Sequence, residues 1–189
     1  MRWERLFDDL EAQAAEAEQA SLGPEVADRT RRELARVRLA DRYRAAAGRQ
    51  LTIVVGGLGP LTGSVQAAGP DWVLVSERAG SETLVPATAV VSVAGLGPQA
   101  AVPGNEGVVG ARLGLAYALR GIARDRCEVV MTLTDGSRLT GTVDRVGADF
   151  VDVAVSAVAE TRRPADPLGM RSVPFSAIGT LRRAKRSMA

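Results

Sequence analysis

Apolar and polar positions alternate along two stretches of this chain in nearly the same way. Apolar side chains recur at every second position in 51–55 and again in 129–133, which is the spacing of a half-buried β-strand. Turn residues such as Gly80-Ser81 and Asp135-Gly136 divide each stretch into five short strands. The strands are predicted at 51–55, 61–66, 72–76, 83–85 and 89–93, and then at 129–133, 139–146, 150–155, 171–173 and 178–182. Each set predicts a strongly bent antiparallel sheet or a small barrel.

The two sets of strands are an internal repeat. Leu61-Thr62-Gly63-Ser64-Val65 returns as Leu139-Thr140-Gly141-Thr142-Val143, so that position 139 corresponds to 61 at an offset of 78 residues. After a longer loop in the second copy, Val85-Pro86 returns as Val173-Pro174, where position 173 corresponds to 85 at an offset of 88. A repeat of this length indicates a duplicated supersecondary unit. The dipeptide Asp135-Gly136 also predicts a type I′ hairpin turn, in which both residues have positive φ.

Helical periodicity precedes each set of strands. Apolar residues recur at intervals of three and four over 2–20, 25–47 and 106–124, which predicts three amphipathic helices. Gly23-Pro24 ends the first helix, and Asn105 is a candidate cap for the third. The predicted organisation is an N-terminal helix at 1–24, a helix with five strands at 25–95, a linker at 96–106, a second helix with five strands at 107–183, and a basic tail at 184–189.

Composition excludes several classes of chemistry. The chain has no histidine and one cysteine, Cys127, which removes Ser-His and Cys-His catalysis, the usual zinc sites and any intramolecular disulfide. We therefore expect a protein that is not an enzyme and uses no metal or cofactor. No apolar run is long enough to span a bilayer, because a spanning helix needs about 20 apolar residues. We expect no contact with a membrane and a cytoplasmic location.

The order of these motifs resembles a known family. A helix precedes five strands that contain Asp135-Gly136, then Leu139-Thr140-Gly141, then Gly147-Ala148-Asp149-Phe150-Val151 and finally Val173-Pro174. This pattern is similar to the Sm/LSm family, which includes the bacterial RNA chaperone Hfq. Two copies in one chain resemble tandem Sm-like proteins of actinobacterial type. The resemblance implies two Sm-like modules, RNA binding, and assembly by pairing the fourth strand of one module with the fifth strand of the next.

Several positions depart from the family pattern. The family places an arginine or lysine at the inner RNA site, and here those positions are Ala87-Thr88 and Phe175-Ser176. In the family an asparagine follows the Sm aspartate by three residues. The residue at that position here is Leu74 in one module and Asp152 in the other. The resemblance therefore implies an RNA-binding protein without the usual uridine pocket.

Basic residues away from that pocket are the better candidates for RNA contact. The net charge is +2, but the positive charge is clustered. Mobile cationic segments bind nucleic acid through counterion release without precise geometry. The residues predicted to contact RNA are Arg162, Arg163, Arg182, Arg183, Lys185 and Arg186, for which we expect no obvious acidic partner nearby. The arginines of the 25–47 helix either contact phosphate as well or form a solvated face beside the acidic first helix.

Two aromatic residues occupy equivalent positions after the second strand of each module, Trp72 and Phe150. They would either stack on bases or face the interior of the sheet. We expect Asp71 and Asp149, which precede them, to accept hydrogen bonds within their own turns.

The leading hypothesis is a non-enzymatic Sm-like RNA-binding protein that works in an oligomeric assembly through basic loop and tail residues. The alternative is a structural scaffold or protein-interaction module that binds no nucleic acid. In that case the apolar face of the first helix would dock a protein partner. That face consists of Trp3, Leu6, Phe7 and Leu10. Self-association is expected in both cases, as a dimer or as a trimer.

Overall fold

The computed structural model of the chain describes residues 29–77, 80–102, 113–156 and 169–184. The chain divides into two compact units, Met1–Val37 and Arg38–Ala189. In the first unit, residues 29–34 are helical. The helix predicted at 2–20, with Trp3, Leu6, Phe7 and Leu10, lies outside the described residues, as do Asn105 and the tail beyond residue 184.

The second unit is built on one ten-stranded antiparallel sheet. Its described helices are α1 (Leu39–Ala45) and α2 (Leu115–Asp125), each of which precedes a set of five strands. The first set is β1 (Gln50–Val55), β2 (Gly59–Ala68), β3 (Trp72–Ser76), β4 (Glu82–Pro86) and β5 (Val90–Ala94), and the second is β6 (Glu128–Leu133), β7 (Arg138–Val146), β8 (Phe150–Val155), β9 (Met170–Pro174) and β10 (Ile178–Arg183). The prediction of a mainly β protein with helices is confirmed.

The strand order is β5-β1-β2-β3-β4-β10-β6-β7-β8-β9. We call β1–β5 the first half-sheet and β6–β10 the second. Within each, the fifth strand lies beside the first and the other strands follow in sequence. The register also shifts at equivalent places, between Val65 and Ala67 in β2 and between Val143 and Arg145 in β7. The repeat seen in the sequence is therefore also a repeat in topology and in the position of β-bulges.

Each half-sheet has its own apolar core. The alternating positions of β1 are buried, as the periodicity predicted, and they form the first core with Tyr43 of α1. The second core includes Leu115 and Leu119 of α2 together with Met131 and other strand residues of the second half-sheet. The spacing of Leu115 and Leu119 places both on the face of α2 that packs on the sheet.

The half-sheets meet where β4 pairs with β10, with Leu84 opposite Leu181 and Thr83 opposite Arg182. We call this pairing the central joint. Leu84 belongs to the first half-sheet but packs into the second core, so the joint is sealed by side chains as well as by backbone pairing. The sheet is open at its ends, because β5 is paired only with β1 and β9 only with β8 among the described strands.

Two local predictions were wrong. The 25–47 helix is interrupted, since Arg38 has an extended backbone and its N–H donates to the Asp41 carboxylate at 2.7 Å. This side-chain cap starts a new helix at Leu39.

The type I′ turn predicted at Asp135-Gly136 is also absent: Gly136 has a φ of 85°, but Asp135 does not have a positive φ. Asp135 instead accepts a hydrogen bond from the Ser137 N–H at 2.8 Å, which favours a turn with only one left-handed residue.

Candidate functional site

The turn between β2 and β3 holds the beginning of α2. The Asp71 carboxylate accepts a hydrogen bond from the backbone N–H of Leu115 at 2.7 Å, and the Trp72 indole N–H donates to the carbonyl oxygen of Leu113 at 2.7 Å. The first N–H groups of a helix have no partner within the helix. A carboxylate at this position satisfies one of them and interacts favourably with the helix dipole. We call Asp71 and Trp72 the helix clasp, and it ties the first half-sheet to the helix of the second.

The helix clasp corrects the prediction for Asp71, whose side chain caps α2 rather than its own turn. It also marks the beginning of α2 at Leu115, where Gly114 is extended at the cap position, whereas the predicted start at 106 lies outside the described residues. The partner lies 44 residues away in the chain, so neither local spacing nor turn chemistry could have revealed it. The only signal in the sequence was the repeated aspartate-aromatic pair.

The equivalent pair in the second half-sheet, Asp149 and Phe150, is not engaged in the same way. The backbone carbonyl of Asp149 accepts a hydrogen bond from Phe175 at 2.7 Å, just as that of Asp71 does from Ala87 at 2.8 Å. No described residue donates a hydrogen bond to the Asp149 side chain. Two turns of equivalent backbone geometry therefore differ in use: one caps a helix and the other faces solvent.

The two aromatic residues consequently have different surroundings. Trp72 is partly buried and packs against the second core, and its indole N–H is occupied by Leu113. Phe150 is 38% exposed and its ring covers Gly147, where an added Cβ would overlap it. Phe150 therefore presents more of its ring for stacking than Trp72 does.

The positions at which the resemblance to the Sm family predicted an inner RNA site lie in two short 3-10 turns. These turns are Ala87–Ala89 and Phe175–Ala177, each immediately after the fourth strand of its half-sheet. Neither turn contains a cation, and Phe175 is directed against the second core. An RNA site at these turns would lack charged contacts from their own side chains.

Of the basic residues predicted to contact RNA, the structure describes Arg182 and Arg183 at the end of β10. Both are exposed. Arg183 donates to the Asp125 carboxylate at 2.6 Å, which corrects the expectation that it has no acidic neighbour. This exposed pair contributes only about 0.2–1 kcal/mol, so it does not prevent Arg183 from exchanging its partner. Arg162, Arg163, Lys185 and Arg186 lie outside the described residues.

The basic residues of α1 take part in the structure of their own half-sheet. Arg42 donates to the carbonyl oxygen of Gly97 at 3.0 Å, and Arg44 forms an ion pair with Asp41. Burial raises the pKa of Asp41, but the Arg38 N–H and the charge and hydrogen bond of Arg44 outweigh it, so that the pKa is lowered overall. These arginines anchor α1 and the segment after β5 rather than forming a free basic face.

Two acidic side chains of the second half-sheet have local partners. Asp152 accepts a hydrogen bond from the Ser172 hydroxyl at 2.5 Å, and Asp144 lies 3.4 Å from Arg126. Within the described ranges, no group of three or more His, Cys, Asp or Glu residues is arranged to hold a metal ion.

The Tyr43 side chain has a buried hydroxyl without a partner among the described residues. Burial raises the pKa of this hydroxyl to about 12, so it stays protonated at neutral pH.

Comparisons with known proteins returned no family model, no curated protein and no solved structure that matches this chain. Among the described helices, none is both long and apolar enough to cross a membrane.

The helix clasp can be tested with its own repeat as the control. We expect Asp71→Ala to lower the free energy of unfolding by about 1 kcal/mol, the usual cost of removing a helix N-cap. Asp149→Ala should change stability by less than about 0.5 kcal/mol, because it is a surface substitution that removes no contact to a described residue. Urea unfolding of both variants measures the difference. Equal losses in the two variants would contradict the assignment of a capping role to Asp71 alone.

Proposed function

We propose that this protein is a non-enzymatic Sm-like protein that binds RNA within an oligomeric assembly, using basic loop and tail residues. The observation that carries the proposal is the central joint. Two half-sheets with the same strand order are joined by pairing the fourth strand of one with the fifth strand of the other. Modules of the Sm family pair in the same way between subunits, and the joint therefore supports the Sm-like interpretation independently of the sequence motifs.

The basic end of β10 supports the RNA-binding part of the proposal. Arg182 and Arg183 are exposed and are followed within three residues by Lys185 and Arg186. Four cations in such a short segment give a strong local positive charge, which attracts phosphate groups and releases their counterions. The ligand that fits this chemistry best is single-stranded RNA held by its backbone, without recognition of its sequence.

Filter binding of single-stranded RNA at several salt concentrations tests the proposal. Replacing Arg182, Arg183, Lys185 and Arg186 by alanine should weaken binding and flatten its dependence on salt, by about 0.7 in the logarithmic slope for each phosphate that is no longer neutralised. A charge-matched comparison is the double variant Arg182→Ala/Arg183→Ala against Arg126→Ala/Arg145→Ala. Both remove two exposed arginines, but the second pair lies beside Asp144, and we expect it to have the smaller effect.

The alternative is a structural scaffold or protein-interaction module that binds no nucleic acid. It is favoured by the 3-10 turns at Ala87–Ala89 and Phe175–Ala177, which carry no cation, and by the use of Trp72 in the helix clasp. If the unmodified protein retains no RNA near physiological salt, the RNA-binding proposal fails and the scaffold becomes the better explanation.

A further inference from the structure

The second half-sheet contains its own copy of the turn that forms the helix clasp. We call Gly147, Asp149 and Phe150 the second turn, and they correspond to Gly69, Asp71 and Trp72 at the offset of 78 residues. In both copies the glycine N–H donates to the carbonyl oxygen of the aromatic residue, at 2.9 Å in the first and 2.8 Å in the second. The carbonyl oxygen of the aspartate also accepts a hydrogen bond from the first residue of the 3-10 turn in each copy. The two turns are therefore held by the same backbone hydrogen bonds.

In the helix clasp, a glycine makes room for the helix that the turn holds. An added Cβ at Gly69 would lie 2.7 Å from the carbonyl oxygen of Leu113, which is the atom that the Trp72 indole binds. That distance is too short for a carbon–oxygen contact, so a side chain at position 69 would displace the chain that leads into α2. The Asp71 carboxylate lies beside the cap residue Gly114 and binds the N–H of the next residue. A glycine, a carboxylate and an aromatic ring thus hold the helix start together.

The second turn keeps these three parts, but no described helix occupies it. Ala148, Asp149 and Phe150 are exposed, and the Asp149 carboxylate has no hydrogen-bond donor among the described residues. The ring of Phe150 lies over Gly147. A phenyl ring cannot donate a hydrogen bond as an indole does. The second turn therefore offers a carboxylate and an apolar surface, without the additional N–H donor of the helix clasp.

We propose that the second turn binds the amino end of an α-helix in a partner protein. The helix that fits has no capping side chain of its own, a glycine at the cap position and an apolar residue after it, as in Gly114-Leu115 of α2. The first N–H groups of such a helix lack partners and carry partial positive charge, which is complementary to the Asp149 carboxylate. This docking goes beyond the proposed function, since it does not involve RNA or the basic end of β10.

The described helices in the second unit of another copy of this chain do not meet that description. The N–H of Arg38 at the start of α1 is bonded to the Asp41 carboxylate of the same helix. The start of α2 is held by Asp71. Both helices are therefore capped within their own chain, and the second turn is left for a helix of a different protein.

The strand beside the second turn adds a requirement on the charge of the partner. Asp152 lies two residues after Phe150 in β8, on the same face of the sheet, and its carboxylate accepts a hydrogen bond from the Ser172 hydroxyl at 2.5 Å. The equivalent residue of the first half-sheet is Leu74, which packs against the second core. A protein that docks here meets two carboxylates instead of one carboxylate and a leucine. A partner with basic side chains on the docked helix is therefore complementary.

Nuclear magnetic resonance titration of the isotope-labelled full chain with a helical peptide tests the proposal. The probe is a synthetic peptide with the sequence of residues 113–126, which has the glycine cap, the apolar residue after it and several arginines. A side-chain crosslink between positions 117 and 121, which are exposed in α2, keeps the peptide helical, since isolated helices of this length are marginal in water. Because the chain's own α2 occupies the helix clasp, we expect the peptide to shift the amide signals of residues 147–150 and to leave those of 69–72 unchanged.

Two substitutions that remove the same charge separate capping from general attraction. Asp149→Ala should weaken peptide binding by about fivefold, the usual effect of removing a helix N-cap. Asp144→Ala is the matched control, because Asp144 lies outside the second turn, on the neighbouring strand β7, and pairs with Arg126. Its affinity for the peptide should stay close to that of the unmodified protein.

A gain of affinity is expected when the second turn is completed. Phe150→Trp supplies the indole N–H that Trp72 uses in the helix clasp, and it should strengthen peptide binding by about fivefold, as one added hydrogen bond does. A peptide with the change Gly114→Asp caps its own helix. Its affinity should no longer depend on Asp149.

Three results would overturn the inference. The first is the absence of any shift at residues 147–150 with millimolar peptide, in both the unmodified protein and Phe150→Trp. Equal losses in Asp149→Ala and Asp144→Ala would show that charge attraction alone is at work. Shifts at 147–150 that follow protein concentration without peptide would show that a second copy occupies the turn. Filter binding of RNA by Asp149→Ala should match that of the unmodified protein, so that helix docking and RNA binding stand or fail independently.

Discussion

Replacing Gly141 by valine should lower the free energy of unfolding by about 3 kcal/mol or more, and Gly63→Val should have a similar effect in the first half-sheet. At Gly141 a Cβ would overlap the backbone carbonyl of Ala154 on β8, and at Gly63 it would overlap that of Ser76 on β3. These are backbone atoms of the adjacent strand, so they cannot move aside as a flexible side chain would. Relieving the overlap requires breaking pairs such as Thr142–Ala154.

Thermal unfolding measures this effect most directly. A loss of about 3 kcal/mol lowers Tm by about 6–12 °C in a chain of this size. Gly121 of α2 provides the contrast, because an added Cβ there meets nothing within 4 Å. Gly121→Ala should raise stability by about 0.5–1 kcal/mol, since glycine in the middle of a helix is unfavourable relative to alanine. Unchanged melting temperatures in both valine variants would contradict the close approach of the strands.

The strand pattern was the part of the fold that the sequence could predict. The buried positions of β1 follow strict alternation, and the return of Gly63 as Gly141 marks the second strand of each set in the sequence itself. The alternation is a local signal, because it depends only on the pleat of a strand, and the repeat can be seen directly in the sequence although its two copies lie 78 residues apart. The ends of the predicted strands accordingly lie within a few residues of those observed.

The helix starts could not be predicted from periodicity because a side-chain cap decides each of them, a local cap at α1 and a cap distant in sequence at α2. Helical periodicity continues through Arg38, yet the Asp41 side chain caps a new helix there. The beginning of α2 depends on Asp71, which lies in the other half-sheet. Propensity is a weak guide when a tertiary contact supplies a cap. The same limit applied to the candidate site, where the ion pair of Arg183 with Asp125 joins residues 58 positions apart.

The two half-sheets also approach each other closely at Gly57. The substitution Gly57→Ala should therefore weaken the central joint. Gly57 has a φ of 74°, and an added Cβ would overlap the carbonyl oxygen of Leu133 across the joint. Gly59 has a similar φ of 87° but meets nothing within 4 Å. Both substitutions incur about 1–2 kcal/mol of backbone strain, so the difference between them isolates the contact across the joint.

We expect Gly59→Ala to unfold in one transition with slightly reduced stability, and Gly57→Ala to lose about 2–3 kcal/mol more, the usual cost of forcing added atoms into a close-packed contact. Because each half-sheet has its own core, weakening the joint should also split unfolding into two steps. Calorimetry would show this as a calorimetric enthalpy larger than the van't Hoff enthalpy. Trp72 fluorescence should follow the first step, since the Trp72 indole donates to Leu113 across the joint. A single transition of equal midpoint in both variants would mean that the turns at Gly57 and Leu133 do not hold the half-sheets together, and that the β4–β10 pairing with Leu84 and Leu181 is sufficient.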